Sequence, residues 1–241
     1  MTHSRTRAYY LLCFFLRTAA FLLLVWYAVT APEAFLAELS HPRGLTPLTA
    51  VWLALMVSMA LRLFPSGRES LGCQKKYAAR FRPTGSLPTP EDLRAADRGA
   101  RGTALLWIAA NAPFLLLFAK GWLGRRFLVC LAGFYGVCDI FCILFYCPFQ
   151  SWLMHNRCCT TCRIFDWDYL MLCTPLLVIP GPLTLSACLL SAVIFLRWEI
   201  TYRRHPERFL ECGNDALRCA NCQEQLCRYK RSLSAALRPK K

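Results

Sequence analysis

Leu170-Met171-Leu172-Cys173-Thr174-Pro175-Leu176-Leu177-Val178-Ile179-Pro180-Gly181-Pro182-Leu183-Thr184 opens the stretch whose reading decides the fold. The apolar run 170–200 exceeds one bilayer crossing, which takes about 20 apolar residues, and Pro180-Gly181-Pro182 interrupts it. Read as one span, it sends the C-terminal tail to the external face. Read as a re-entrant hairpin turning at Pro180–Pro182, it returns the tail, but its first arm is shorter than an ordinary span. Charge favours the hairpin. Eleven Lys and Arg residues lie between Arg197 and Lys241, and basic residues close to a span mark the cytoplasmic side.

Outward from this run the chain has the same character. Of 241 residues, 56% are apolar and 18% charged, the mean hydropathy is positive, and the net charge is +15. The apolar residues gather into blocks of membrane-crossing length instead of spreading as they would through a soluble core. The expected fold is an all-α polytopic membrane bundle occupying 1–200, with spans at 8–29, 46–64, 102–118, 126–146 and 170–200. That makes five spans, or six membrane segments if the last run is a hairpin. A basic, Cys-rich tail, 201–241, follows.

Arg5 and Arg7 precede the first run, and no small-residue cleavage site follows it, so it reads as a retained helix with its N-terminus inside. Residues 30–45 suit a short external loop, and Arg62 sits where it would snorkel at the inner end of the second span. The loop 65–101 carries eight Lys and Arg residues and reads as cytoplasmic. Within it, Thr89 is placed as an N-cap and Pro90 as the first residue of a short helix. Lys120, Arg125 and Arg126 fit poorly with an external turn between the third and fourth spans. The expected setting is a plasma or inner membrane with both termini cytoplasmic. The expected partners are the lipid bilayer, anionic headgroups at the basic loop and tail, and a membrane protein. Nucleic acid is the weaker reading of the charge, since no binding module accompanies it.

Two charges fall inside spans. Arg17 interrupts the first and Asp139 the fourth, at a cost of roughly 2.5–3.5 kcal/mol each on insertion scales, so each needs a partner. The favoured reading is a buried structural ion pair between the two helices; a proton- or redox-linked site is the sharper alternative. Tyr135, Asp139, Cys142 and Tyr146 recur at helical spacing and are expected to share a face.

Fifteen cysteines punctuate the chain. Those inside apolar runs act as small hydrophobes, but two groups lie in polar segments. The loop 147–169 holds Cys147, Cys158, Cys159 and Cys162 beside His155, and the tail holds Cys212, Cys219, Cys222 and Cys227. Cys159–Cys162 and Cys219–Cys222 are both C-x2-C pairs, the spacing that lets two thiolates grip one ion from a tight turn. A tetrahedral zinc held by Cys159, Cys162, Cys219 and Cys222 is the expected arrangement. Cys147, Cys158, Cys212, Cys227 and His155 are secondary candidates. Adjacent Cys158 and Cys159 diverge, which favours a site shared between loop and tail. An iron–sulfur cluster is the alternative cofactor, although the common spacing for one is absent. Dithiol redox chemistry and inert thiols are the remaining readings. His155 alone is most simply a polar loop residue, and Asp166 and Asp168 around Trp167 an interfacial cap.

Phosphate-binding Gly-rich loops, H-E-x-x-H and G-x-S-x-G are absent, so no catalytic residue can be assigned. The expected function is a structural or partner-docking membrane protein with a thiol-held metal. The alternative is a membrane-bound redox protein.

Overall fold

The computed structural model describes residues 3–64, 71–156 and 158–222, with side chains described for 8–64, 74–156, 158–159 and 161–222. Among these residues the regular elements are helices, eight of them α-helical, with no strand. They are α1 His3–Thr30, α2 Pro32–Ser40, α3 Pro47–Arg62, α4 Leu71–Lys76, α5 Pro90–Ala119, α6 Arg125–Leu144, α7 Asp168–Cys173 and α8 Pro182–Arg204. Four contain stretches long and apolar enough to cross a membrane: Ala8–Thr30, Pro90–Ala119, Arg125–Leu144 and Pro182–Arg204; α3 is a shorter apolar helix.

The run 170–200 folds as two arms. α7 continues into a 3-10 turn, Thr174–Val178, because Pro175 cannot donate the hydrogen bond that would extend the α-helix. Pro180 and Gly181 then reverse the chain, and α8 runs back along the first arm. The Trp167 and Phe195 rings meet at 5.5 Å, and the Cys188 thiol approaches the Cys173 carbonyl at 3.8 Å. The first arm extends roughly 19 Å at ordinary helical rises. Cys173, Pro175, Leu176 and Ile179 of this arm are buried against the bundle, while Leu177 and Val178 face outward. Gly181 is needed at the turn, since a Cβ there would stand 2.5 Å from the Leu39 carbonyl oxygen.

α1 and α6 pack antiparallel. Phe14 meets Phe145 at 5.8 Å at one end, Phe21 meets Phe134 at 6.0 Å midway, and Arg126 Nη1 donates to the Ala28 carbonyl at 2.8 Å at the other. α3 begins beside α2, where Thr46 bonds Glu38, and ends with Arg62 against Asp168. α5 begins near α8's end, with Tyr202 Oη donating to Asp97 at 3.1 Å. One end of the bundle therefore gathers the start of α1, the loop after α3, the Cys-rich loop and the tail. The other end gathers α2, the turn between α5 and α6, and Pro180–Pro182. A core of Leu24, Phe35, Leu128, Ile194 and Trp198, among others, runs between them.

Several expectations are revised. Pro32–Ser40 is a helix and not a loop, because Phe35 and Leu39 share a face that buries against the bundle. The short helix begun at Thr89 continues unbroken into the third span: Thr89 and Asp92 close a capping box, and nothing between Arg94 and Gly102 breaks the register. Arg62 does not snorkel; it is 6% exposed and paired. Arg126 owes its place at the tight turn to the open C-terminal carbonyl of α1, which its cation satisfies.

Candidate functional site

The end that gathers the polar loops forms a cap, and Lys76 is its centre. The side chain is fully buried, and its ammonium donates to Asp166 Oδ2 at 2.6 Å and to the Cys162 carbonyl at 3.0 Å. It also lies 5.2 Å from the Phe209 ring of the tail. Asn214, also fully buried, attaches the tail to the same segment. Its amide donates to the carbonyls of Lys75 and Arg208, both at 2.9 Å, and its oxygen accepts from the Ala216 amide at 3.1 Å. Next to it the backbone of Asp215 donates to Arg82 at 2.7 Å, and the Thr84 and Ser86 hydroxyls bond the Cys212 carbonyl. Arg163 completes the cap, bidentate to Glu199 at 2.9 and 3.0 Å and stacked on Tyr202. Loop and tail thus meet at one end of the bundle, joined through residues 75–86.

Both C-x2-C pairs adopt the same 3-10 turn. The Cys162 amide bonds the Cys159 carbonyl at 3.0 Å, and the Cys222 amide bonds the Cys219 carbonyl at 3.2 Å. Their surroundings differ. Cys159 is buried, with its thiol donating to Gln150 Oε1 at 2.7 Å and approaching the Cys142 carbonyl at 3.2 Å. Cys162 is packed with Ala100 and Ile164, and burial pushes its thiol up to about 11. Cys219 is exposed and Cys222 half-buried. Cys147 accepts from the Gln150 amide at 3.4 Å, and Cys158 and Cys212 are half-buried. Burial also raises the Cys212 thiol. His155 is exposed with φ +47°. Cys227 lies outside the described residues. Among those described, no group of three or more His, Cys, Asp or Glu side chains is placed to hold a metal ion.

Sequence reading missed a different thiol grouping. Cys142 and Cys147 share a hydrogen bond across the end of α6, and Cys159 and Gln150 close around them. The signal was the i, i+5 spacing of Cys142 and Cys147 across a helix end. Lys76 and Asn214 carried no spacing signal at all. Asp166 and Asp168, expected as an interfacial cap, are instead the buried counter-ions of Lys76 and Arg62.

Within the bundle, Arg17 Nη1 donates to Asp139 Oδ2 at 2.6 Å and to the Gly136 carbonyl at 3.0 Å. Tyr135 turns away from this pair to donate to Asn111 of α5 at 3.0 Å, and Tyr146 lies beyond the end of α6, so the expected common face divides.

Comparison with protein-family models, curated proteins and solved structures finds no match for the chain. Fold and site together define a class: a helical bundle with membrane-compatible apolar helices and a thiol-rich polar cap at one end.

Proposed function

We propose that this chain is an integral membrane protein with six membrane segments and both termini cytoplasmic, whose cap is a thiol-rich docking platform at the membrane surface. One observation supports the reading: Lys76 bonds the Cys-rich loop and lies against the tail's Phe209, so loop and tail meet at one end of the bundle. The basic residues of 68–101 and 197–241 then fall on the face that anionic headgroups favour. A membrane-protein partner docks on this cap.

Zinc enters the proposal through the repeated C-x2-C turns, with Cys219 and Cys222 as the donor pair; Cys159 and Cys162 stay buried within the loop and are not brought to it among the described residues. Metal analysis of the detergent-purified full-length chain tests this. One zinc per chain in a colourless preparation, lost in Cys219→Ser/Cys222→Ser, supports it; absence of zinc, or zinc unchanged in that variant, overturns it.

A second reading, membrane redox chemistry, draws on the Cys142–Cys147 contact and the adjacent Cys159, which carry thiols from the cap to the end of α6. Iron and sulfide in a brown preparation would support that reading instead.

A further inference from the structure

A cavity of about 460 Å³ lies between α1, α3, α6 and the α7–α8 hairpin, within the roughly 300–1,000 Å³ typical of ligand pockets. Its wall is polarised along the bundle. At the cap end it presents Tyr9, Arg17, Arg62, Asp139, Asp168 and Tyr169; towards the other end it presents Leu24, Val51, Leu55, Leu176 and Leu183. Leu16 and Leu61 line it and are also exposed, at 60% and 38%, so it opens sideways between α1 and α3 where the bilayer would lie.

The two ion pairs in this wall are not equivalent. Arg62 and Asp168 are sealed, with side chains 7% and 10% exposed. Arg17 and Asp139 remain 33% and 23% exposed, and their mutual bond uses only Nη1 and Oδ2. Arg17 Nε and Nη2 and Asp139 Oδ1 make no hydrogen bond among the described residues. In the membrane, donors and an acceptor left facing a cavity are costly until a polar group or water meets them. The wall carries two cations and two anions, so a net anion has no excess charge to meet.

We propose that this cavity binds a zwitterionic membrane phospholipid. Its phosphate accepts from Arg17, its ammonium donates to Asp139, and one acyl chain fills the apolar length towards Leu24 and Leu183. From Arg17 to Leu24, the last α1 residue lining the cavity, is roughly 10 Å at 1.5 Å per residue, so the enclosed apolar length takes the upper half of an extended chain. The proposal is independent of any metal at the cap.

Native mass spectrometry of the full-length protein in detergent, with competing lipids added, tests it. Phosphatidylethanolamine is expected to be retained at least tenfold over phosphatidylglycerol, with free phosphoethanolamine at equal concentration not competing. Arg17→Gln should reduce retention about tenfold. Ser58→Trp, from an exposed position on the cavity mouth, should abolish it while leaving the Arg17–Asp139 pair intact, and it decides the matter if Arg17→Gln does not fold. Equal or stronger retention of phosphatidylglycerol overturns the zwitterion, displacement by free phosphoethanolamine overturns the need for a chain, and unchanged retention in Ser58→Trp overturns the location.

Discussion

Lys76 Nζ stands 2.6 Å from Asp166 Oδ2, with both side chains sealed from solvent at 0% and 1% exposure. This bond joins the segment after α3 to the Cys-rich loop. Truncating one partner strands the other as a buried charge. Lys76→Met is expected to cost about 3–5 kcal/mol in detergent denaturation, while Lys76→Met/Asp166→Leu recovers most of the loss. A double variant no better than the single one would show that the pair is not coupled.

Asn214 is the tail's hydrogen-bonding anchor. Asn214→Ala leaves the Lys75 and Arg208 carbonyls without its amide, at roughly 1–3 kcal/mol. Because Asn214 ties only the short segment 206–222 to the cap, the loss should appear as local opening and not as global unfolding. Hydrogen exchange should accelerate across 206–222 and stay unchanged in α6.

The Cys162 thiol titrates near 9 when unfolded and at about 11 in the cap, because burial disfavours the thiolate. The folded state therefore holds its proton over that interval while the unfolded state has lost it. Stability from this group is fully present below about pH 9 and falls as pH rises towards 11. Cys162→Ala should lack that part of the slope in a pH-stability series on metal-free protein. At neutral pH, iodoacetamide should modify exposed Cys219 and spare Cys162 until the protein is denatured.

Gly181→Ala places a Cβ 2.5 Å from the Leu39 carbonyl oxygen, a backbone atom with little freedom to move. The turn and α2 must separate, at about 1–3 kcal/mol by the usual cost of overpacking. A melting temperature unchanged from the parent would mean that the hairpin does not press against α2.

The helical class was legible because apolar runs of bilayer length have few other uses, and the capping signals at Thr89 and Pro90 were local. Arg17 and Asp139 announced a need for partners, since lone charges inside apolar runs are costly. The cap was not legible. Lys76 looks like any solvated lysine in a basic loop, and Asn214 like any turn residue; their roles depend on three segments distant in sequence meeting at one end. Arg62 misled for a related reason, because its counter-ion Asp168 lies in another loop. The C-x2-C spacing gave the two turns correctly, but spacing alone does not say which way each thiol faces.

We propose that the hairpin at Pro180–Pro182 brings the tail to the side of the Cys-rich loop, facing the cytoplasm. Labelling intact and permeabilised cells with a membrane-impermeant maleimide tests it, reading native Cys219 in a background with the other accessible cysteines replaced. Leu45→Cys, at a position 82% exposed between α2 and α3, reports the opposite end. Leu45→Cys is expected to label in intact cells and Cys219 only after permeabilisation. Labelling of Cys219 in intact cells would contradict it.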